Sequence, residues 1–98
     1  MRYRKKPVVI DAMQWDGTVA GATPIIDWVL SGGGTARYLD AAGYGVIPDH
    51  IAIDTIEGTM RAAAGWWIIR GVAGEHYPCD PDIFEQTYEF AGAAGDES

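Results

Sequence analysis

Apolar and polar positions divide the chain into short segments with different periods. Val8 to Trp15 is rich in β-branched and apolar residues and reads as a largely buried first strand, the expected spine of the sheet. Asp16-Gly17 supplies turn chemistry. In Pro24-Ile25-Ile26-Asp27-Trp28-Val29-Leu30, apolar residues recur at Ile25, Trp28 and Val29, the i, i+3, i+4 spacing of one helix face, which predicts a short helix over 24–31. Thr23 is its expected N-cap, Pro24 suits N1, where a missing donor costs nothing, and Asp27 lies near the positive end of the dipole. Gly32 is the expected left-handed residue after the helix. A helix this short holds only when packed on something.

Gly32-Gly33-Gly34 follows a helix and lacks the Lys-Ser/Thr of a phosphate loop, so it reads as a linker. Beyond it, Ala36 to Leu39, Tyr44 to Ile47 and Ile51 to Ile56 read as short strands. The alternation of Ile51, Ile53 and Thr55 against Ala52, Asp54 and Ile56 suits an antiparallel sheet with one wet face. Glu57-Gly58 is the expected two-residue hairpin turn before Thr59. Trp66 to Arg70 and Glu75 to Tyr77 then predict a second hairpin around Gly71-Val72-Ala73-Gly74, with Pro78 expected to stop the pairing. Asp80 as N-cap, Pro81 at N1 and Asp82 in the first turn predict a second helix, clamped to the sheet by Phe84 and Tyr88 at i, i+4.

These elements make the expected fold α+β: a bent antiparallel sheet or small, partly open β-barrel, with one short helix after strand 1 and one at the C-terminus. Ninety-eight residues fit one globular domain over 8–90, preceded by a basic arm at 1–7 and followed by an acidic tail at 91–98 that reads as disordered. A core this thin depends on large side chains, which four Trp, five Tyr and two Phe supply.

Charge sharpens this picture. The net charge is −7, but residues 1–7 hold four of the seven basic residues and no acid, so the body sets three cations against fourteen carboxylates. Such a body repels nucleic-acid phosphates and argues against duplex DNA as a partner. The single cysteine, Cys79, excludes an intrachain disulfide, and the apolar run after the basic arm is cut at Asp11, too early for a secretory signal. No stretch of 18 apolar residues is present. The cytosol of the cell that makes it is the expected location, with no membrane partner.

Both ends carry longer motifs. Tyr3-Arg4-Lys5-Lys6-Pro7-Val8-Val9-Ile10-Asp11-Ala12-Met13-Gln14-Trp15 opens the chain. Trp67-Ile68-Ile69-Arg70-Gly71-Val72, Gly74-Glu75, Tyr77-Pro78-Cys79 and Pro81 to Glu89 close it. In these two blocks the chain resembles a family of small, uncharacterised phage and prophage proteins. The family usually has Pro-Gly-Asp before the first closing motif, whereas Ala64-Gly65-Trp66 stands here. The resemblance implies a virus-encoded protein working inside a bacterium and implies no activity.

Catalytic chemistry has weak support in the residues. His76 and Cys79 are three apart, with His50 elsewhere, but zinc needs three or four ligands and no second cysteine exists. Cys79 precedes a helix, yet Asp80 and Asp82 oppose a lowered thiol pKa. The expectation is a non-enzymatic protein without cofactor or metal. Binding has more support: adjacent Trp66 and Trp67 on a strand point to opposite faces, so only one can fill the main core and the other is left to find cover. Arg61, Arg70, Tyr77 and the arm residues Arg4, Lys5 and Lys6 complete a candidate binding set. The favoured function is a phage interaction protein acting on a host protein, itself a homo-oligomer. The alternatives are an oligomeric sponge for a nucleotide immune signal and a minor virion structural protein.

Overall fold

The computed structural model describes residues 1–3, 8–39 and 49–91. Its elements are β1 (Asp11–Gln14), α1 (Val19–Ser31), β2 (Ala36–Leu39), β3 (His50–Thr55), β4 (Gly58–Ala62), β5 (Trp67–Arg70), β6 (His76–Cys79) and α2 (Pro81–Thr87). The fold is α+β, as expected. Its strands form two three-stranded antiparallel sheets, β1-β5-β6 and β2-β3-β4, not closed into a barrel. The expected strand at 44–47, the basic residues Arg4, Lys5 and Lys6, and residues 92–98 of the tail lie outside the described residues.

The first strand is shorter than its apolar run. Val8 and Val9 are 48% and 76% exposed, and pairing with β5 begins at Asp11. β1 is an outer strand, so the spine of this sheet is β5 instead. The pairing ends in a bulge, with Trp15 N–H donating to the Trp66 carbonyl at 2.9 Å and Gly65 N–H donating to the Trp15 carbonyl at 2.9 Å. Gly65 at φ +88° and the Trp66 N–H bond to Ala63 mark Ala63–Trp66 as a type II turn leading into the bulge. Trp15, held there, is fully buried, and its indole N–H donates to the Thr18 carbonyl at 2.7 Å.

α1 starts five residues before the expected position. Thr18, not Thr23, is its N-cap: its hydroxyl accepts from Gly21 N–H at 2.9 Å, while the Asp16 carboxylate accepts from both the N–H and hydroxyl of Thr18. Those bonds also hold the Asp16 carboxyl below its usual pKa. Pro24 therefore lies inside the helix and removes one backbone bond. Burial of Ala22, Ile25 and Val29 on one face offsets that loss. The C-terminus closes as a Schellman motif, with Gly34 N–H to Val29 at 2.9 Å and Gly33 N–H to Leu30 at 3.0 Å. The left-handed residue is Gly33 at φ +89°, not Gly32 at −88°. The glycine run is thus a helix stop, not a linker.

The main core lies between α1 and the inner faces of both sheets. Trp15, Ala22, Ile25, Val29, Ala36, Ile51, Ile53, Ala62 and Ile68 form it. β3 alternates as expected at Ile51 and Ile53, but Ala52 on the other face is also buried, placed in register between Arg37 and Arg61. The β3–β4 turn is Ile56-Glu57, one residue early, because Thr55 pairs with Gly58 and its hydroxyl accepts from Glu57 N–H and donates to the Gly58 carbonyl. Pro78 does not end the second hairpin. It pairs with Ile68 on β6, an outer strand. The Gly71 N–H to Glu75 bond places Ile68 and Pro78 in a non-hydrogen-bonded pair, where no donor is required.

Candidate functional site

β5 exposes a different surface on each side of its sheet. Ile68, with Met13 on β1 in register, faces the main core, while Ile69 and Trp67 face away from it beside Tyr77 and Cys79. α2 covers that second face. Asp80 caps it by accepting from Asp82 and Ile83 N–H, with Pro81 at its start as expected. Phe84 stacks on Trp67 and meets Tyr88 at a ring distance of 5.0 Å. Tyr77 is half-buried there; burial, followed by a hydrogen bond with the Tyr88 side chain, pushes its hydroxyl pKa up to about 12.

This arrangement decides which of the paired tryptophans faces the core. Trp67 is in the outer aromatic layer under α2, and Trp66, which precedes β5, packs against the main core. Trp66 stands two residues before core-facing Ile68, so strand alternation turns its ring inward and that of Trp67 outward. Arg61 is exposed on β4 of the other sheet, and Arg70 is exposed at the end of β5, on the face opposite Trp67. The structure does not bring Trp66, Trp67, Arg61, Arg70 and Tyr77 together around one cavity.

Cys79 and His76 also separate, because residues three apart on β6 point to opposite faces. Burial, then the neighbouring Asp80 charge, raises the Cys79 thiol pKa above its ordinary value. Among the described residues no cluster of three His, Cys, Asp or Glu could hold a metal ion, and no helix is long and apolar enough to cross a membrane.

A cavity of about 340 Å³ opens at the C-terminal end of α1, lined by Gly32 to Thr35, Asp54 to Ile56 and Gly74 to His76. His76 is its most unusual wall. The ring is buried, packs edge-on against Trp28 at 5.1 Å, and leaves Nε2 without a hydrogen-bond partner. Burial, then the charge of Arg70, lowers its pKa, against a smaller opposing effect of Glu75. The glycines permit this approach: a Cβ on Gly32 would stand 2.8 Å from the ring Cε1, and one on Gly34 would stand 3.1 Å from Nδ1. Asp54 accepts from the Thr59 hydroxyl at 2.8 Å and faces Arg37 at 3.8 Å. The Glu75 carboxylate accepts from Ala73 N–H at 3.1 Å.

In the sequence His76 stands out only as a zinc ligand or the partner of a Cys79 nucleophile, and neither Asp54 nor Glu75 stands out as a site residue. The signal that marks this place is the pair Gly32 and Gly34 on either side of the left-handed Gly33, since glycine without a positive φ often marks close approach of another group. Compared with known proteins, the chain matches no family model, no curated protein and no solved structure.

Proposed function

We propose that this chain is a non-enzymatic interaction protein, phage-encoded as its terminal motifs suggest, that binds a host protein in the bacterial cytoplasm through its acidic surface. The observation that carries this reading is the cavity at the end of α1, whose lining residues include Asp54 and Glu75 and no lysine or arginine. That lining repeats locally the imbalance of the whole body. A raised Cys79 pKa supports a role without a thiol nucleophile. The dispersal of Trp66, Trp67, Arg61 and Arg70 over two sheets and two faces favours protein binding over a stacked nucleotide. An outer strand β1, preceded by exposed Val8 and Val9, supports self-association as well.

The test combines a solution mass with affinity capture from bacterial lysate at low and high salt. A mass above one chain and a discrete partner released by salt are expected. A monomer that captures nothing at low salt, yet is stabilised by a nucleotide, would overturn the proposal in favour of the sponge.

A further inference from the structure

The sheet β1-β5-β6 has one open edge. On its far side β6 packs against β3 and β4, whereas β1 has β5 alone as a strand neighbour. Trp15 N–H bonds the Trp66 carbonyl, and the register pairs Met13 with Ile68 and Asp11 with Arg70, so the odd-numbered residues of β1 direct their backbone groups to β5. The N–H and C=O of Ala12 and Gln14 point the other way. Among the described residues no backbone bond reaches them. Just before them stand Val8 and Val9, 48% and 76% exposed, and half-buried Ile10. Proteins commonly blunt such an edge with lysine or proline. From Val8 to Gln14 there is neither, and Asp11 is the only charge. A strand edge with unpaired donors and acceptors beside a run of exposed apolar residues is a template for another strand.

We propose that this edge pairs antiparallel with the same edge of a second copy of the chain, about a twofold axis at Ile10, to make one continuous sheet across the dimer. This rests on the self-association in the reading above and names the surface that carries it. Outward groups must face outward groups, so the axis passes through a residue, and the side chains decide which. An axis at Asp11 would set two carboxylates directly opposite each other, a destabilising pair. An axis at Ala12 would set Ile10 against Gln14 of the partner subunit. An axis at Ile10 sets Val8 opposite the partner's Ala12 and Ile10 opposite the partner's Ile10, an apolar row on one face, and joins the free backbone groups of Ala12 to a strand. Charge also favours a second copy. Antiparallel pairing sends the chain before Val8, with Arg2, Arg4, Lys5 and Lys6, toward the partner's Asp16, an exposed carboxylate in a body that sets three cations against fourteen carboxylates. The basic arm of each copy thereby meets the acidic body of the other.

Sedimentation equilibrium and amide hydrogen exchange of the full chain, from micromolar to millimolar concentration, test this. A reversible dimer is expected, weaker at high salt. Its signature is the Ala12 amide, which has no partner within one chain. Exchange there should slow about tenfold as the dimer forms, while the Met13 amide, directed to β5, is protected throughout. Ala12→Pro removes an outward donor without touching the β5 ladder and should weaken the dimer at least about tenfold, with the near-ultraviolet circular dichroism of the tryptophans unchanged. Val9→Lys, at an exposed position, should weaken it similarly and leaves the backbone as it is. A monomer at every concentration, or a dimer in which both variants associate as tightly as the parent chain, would overturn the assignment. So would an Ala12 amide that exchanges equally fast in dimer and monomer. A monomer that still captures a salt-released host protein would remove β1 pairing alone and leave the host-protein reading intact. A β1 dimer that captures none would leave the pairing standing and count against the host-protein reading.

Discussion

The indole of Trp67 and the phenyl ring of Phe84 stack face to face, with centroids 4.1 Å apart and 7° between their planes. α2 has no fully buried residue of its own, so this pair is its main attachment to β5. Phe84→Ala should therefore destabilise the protein by roughly 2–3 kcal/mol, below the full cost of a core phenylalanine because the ring is only half-buried. Trp67→Ala should cost a similar amount. A double-mutant cycle by urea denaturation should give a coupling of about 1 kcal/mol. Additivity of the two losses would show that the stack is incidental.

Gly33 lies in the left-handed region, and a methyl group added to its Cα would meet nothing within 4 Å, so the cost of substitution is purely conformational. Gly33→Ala should lose about 1 kcal/mol. Gly34→Ala meets Val29 Cγ1 at 2.9 Å and His76 Nδ1 at 3.1 Å, so it should also perturb the His76 ring signals. Identical spectra for the two variants around His76 would contradict the packing described at this loop.

His76 links stability to pH. Its folded-state pKa is lowered, chiefly by burial and then by Arg70, so the unfolded chain takes up a proton at a higher pH than the folded chain. The stability this group contributes is therefore complete above the ordinary value of 6.5 and falls as pH drops from there through the lowered folded value. Urea midpoints measured from pH 7.5 down to pH 5 should decline in the parent chain and decline less in His76→Gln. A parent midpoint that rises over this window would reverse the assigned shift.

The type II turn at Ala63–Trp66 places exposed Ala64 at its second position, where proline's fixed φ is compatible. Ala64→Pro should stabilise the chain by about 0.4–1 kcal/mol by restricting the unfolded state. Thermal denaturation would record this as a higher Tm. A lower Tm would show that the turn has another type.

Local chemistry makes some of this architecture legible and leaves other parts hidden. Asp80-Pro81-Asp82 has only one good use, a helix start, and α2 begins there. Ala36 to Leu39 stands as expected because flanking polar residues bound it on both sides. α1 is harder to place, since two threonines could each cap it. The choice falls to Thr18 through Asp16, a bond that depends on the turn at Gly17 and not on propensity. The order of Trp66 and Trp67 is unreadable because Ile68 and Ile69 are both fully buried, so four consecutive apolar residues carry no alternation that tells the two faces of β5 apart. The cavity lies further out of reach, because α1, β3 and β6 bring its walls together from residues more than 40 positions apart.

β5 lies between layers with unequal holds on it. Ile68 is covered by the main core and Ile69 lies on the side of α2, yet α2 is only seven residues long and rests largely on one ring stack. The chain should accordingly open in two stages. Brief undocking of α2 would wet the outer side of β5 while α1 and the two sheets stay closed, so protons in α2 amides should exchange with solvent well before those of β5, whose release requires the whole domain to unfold.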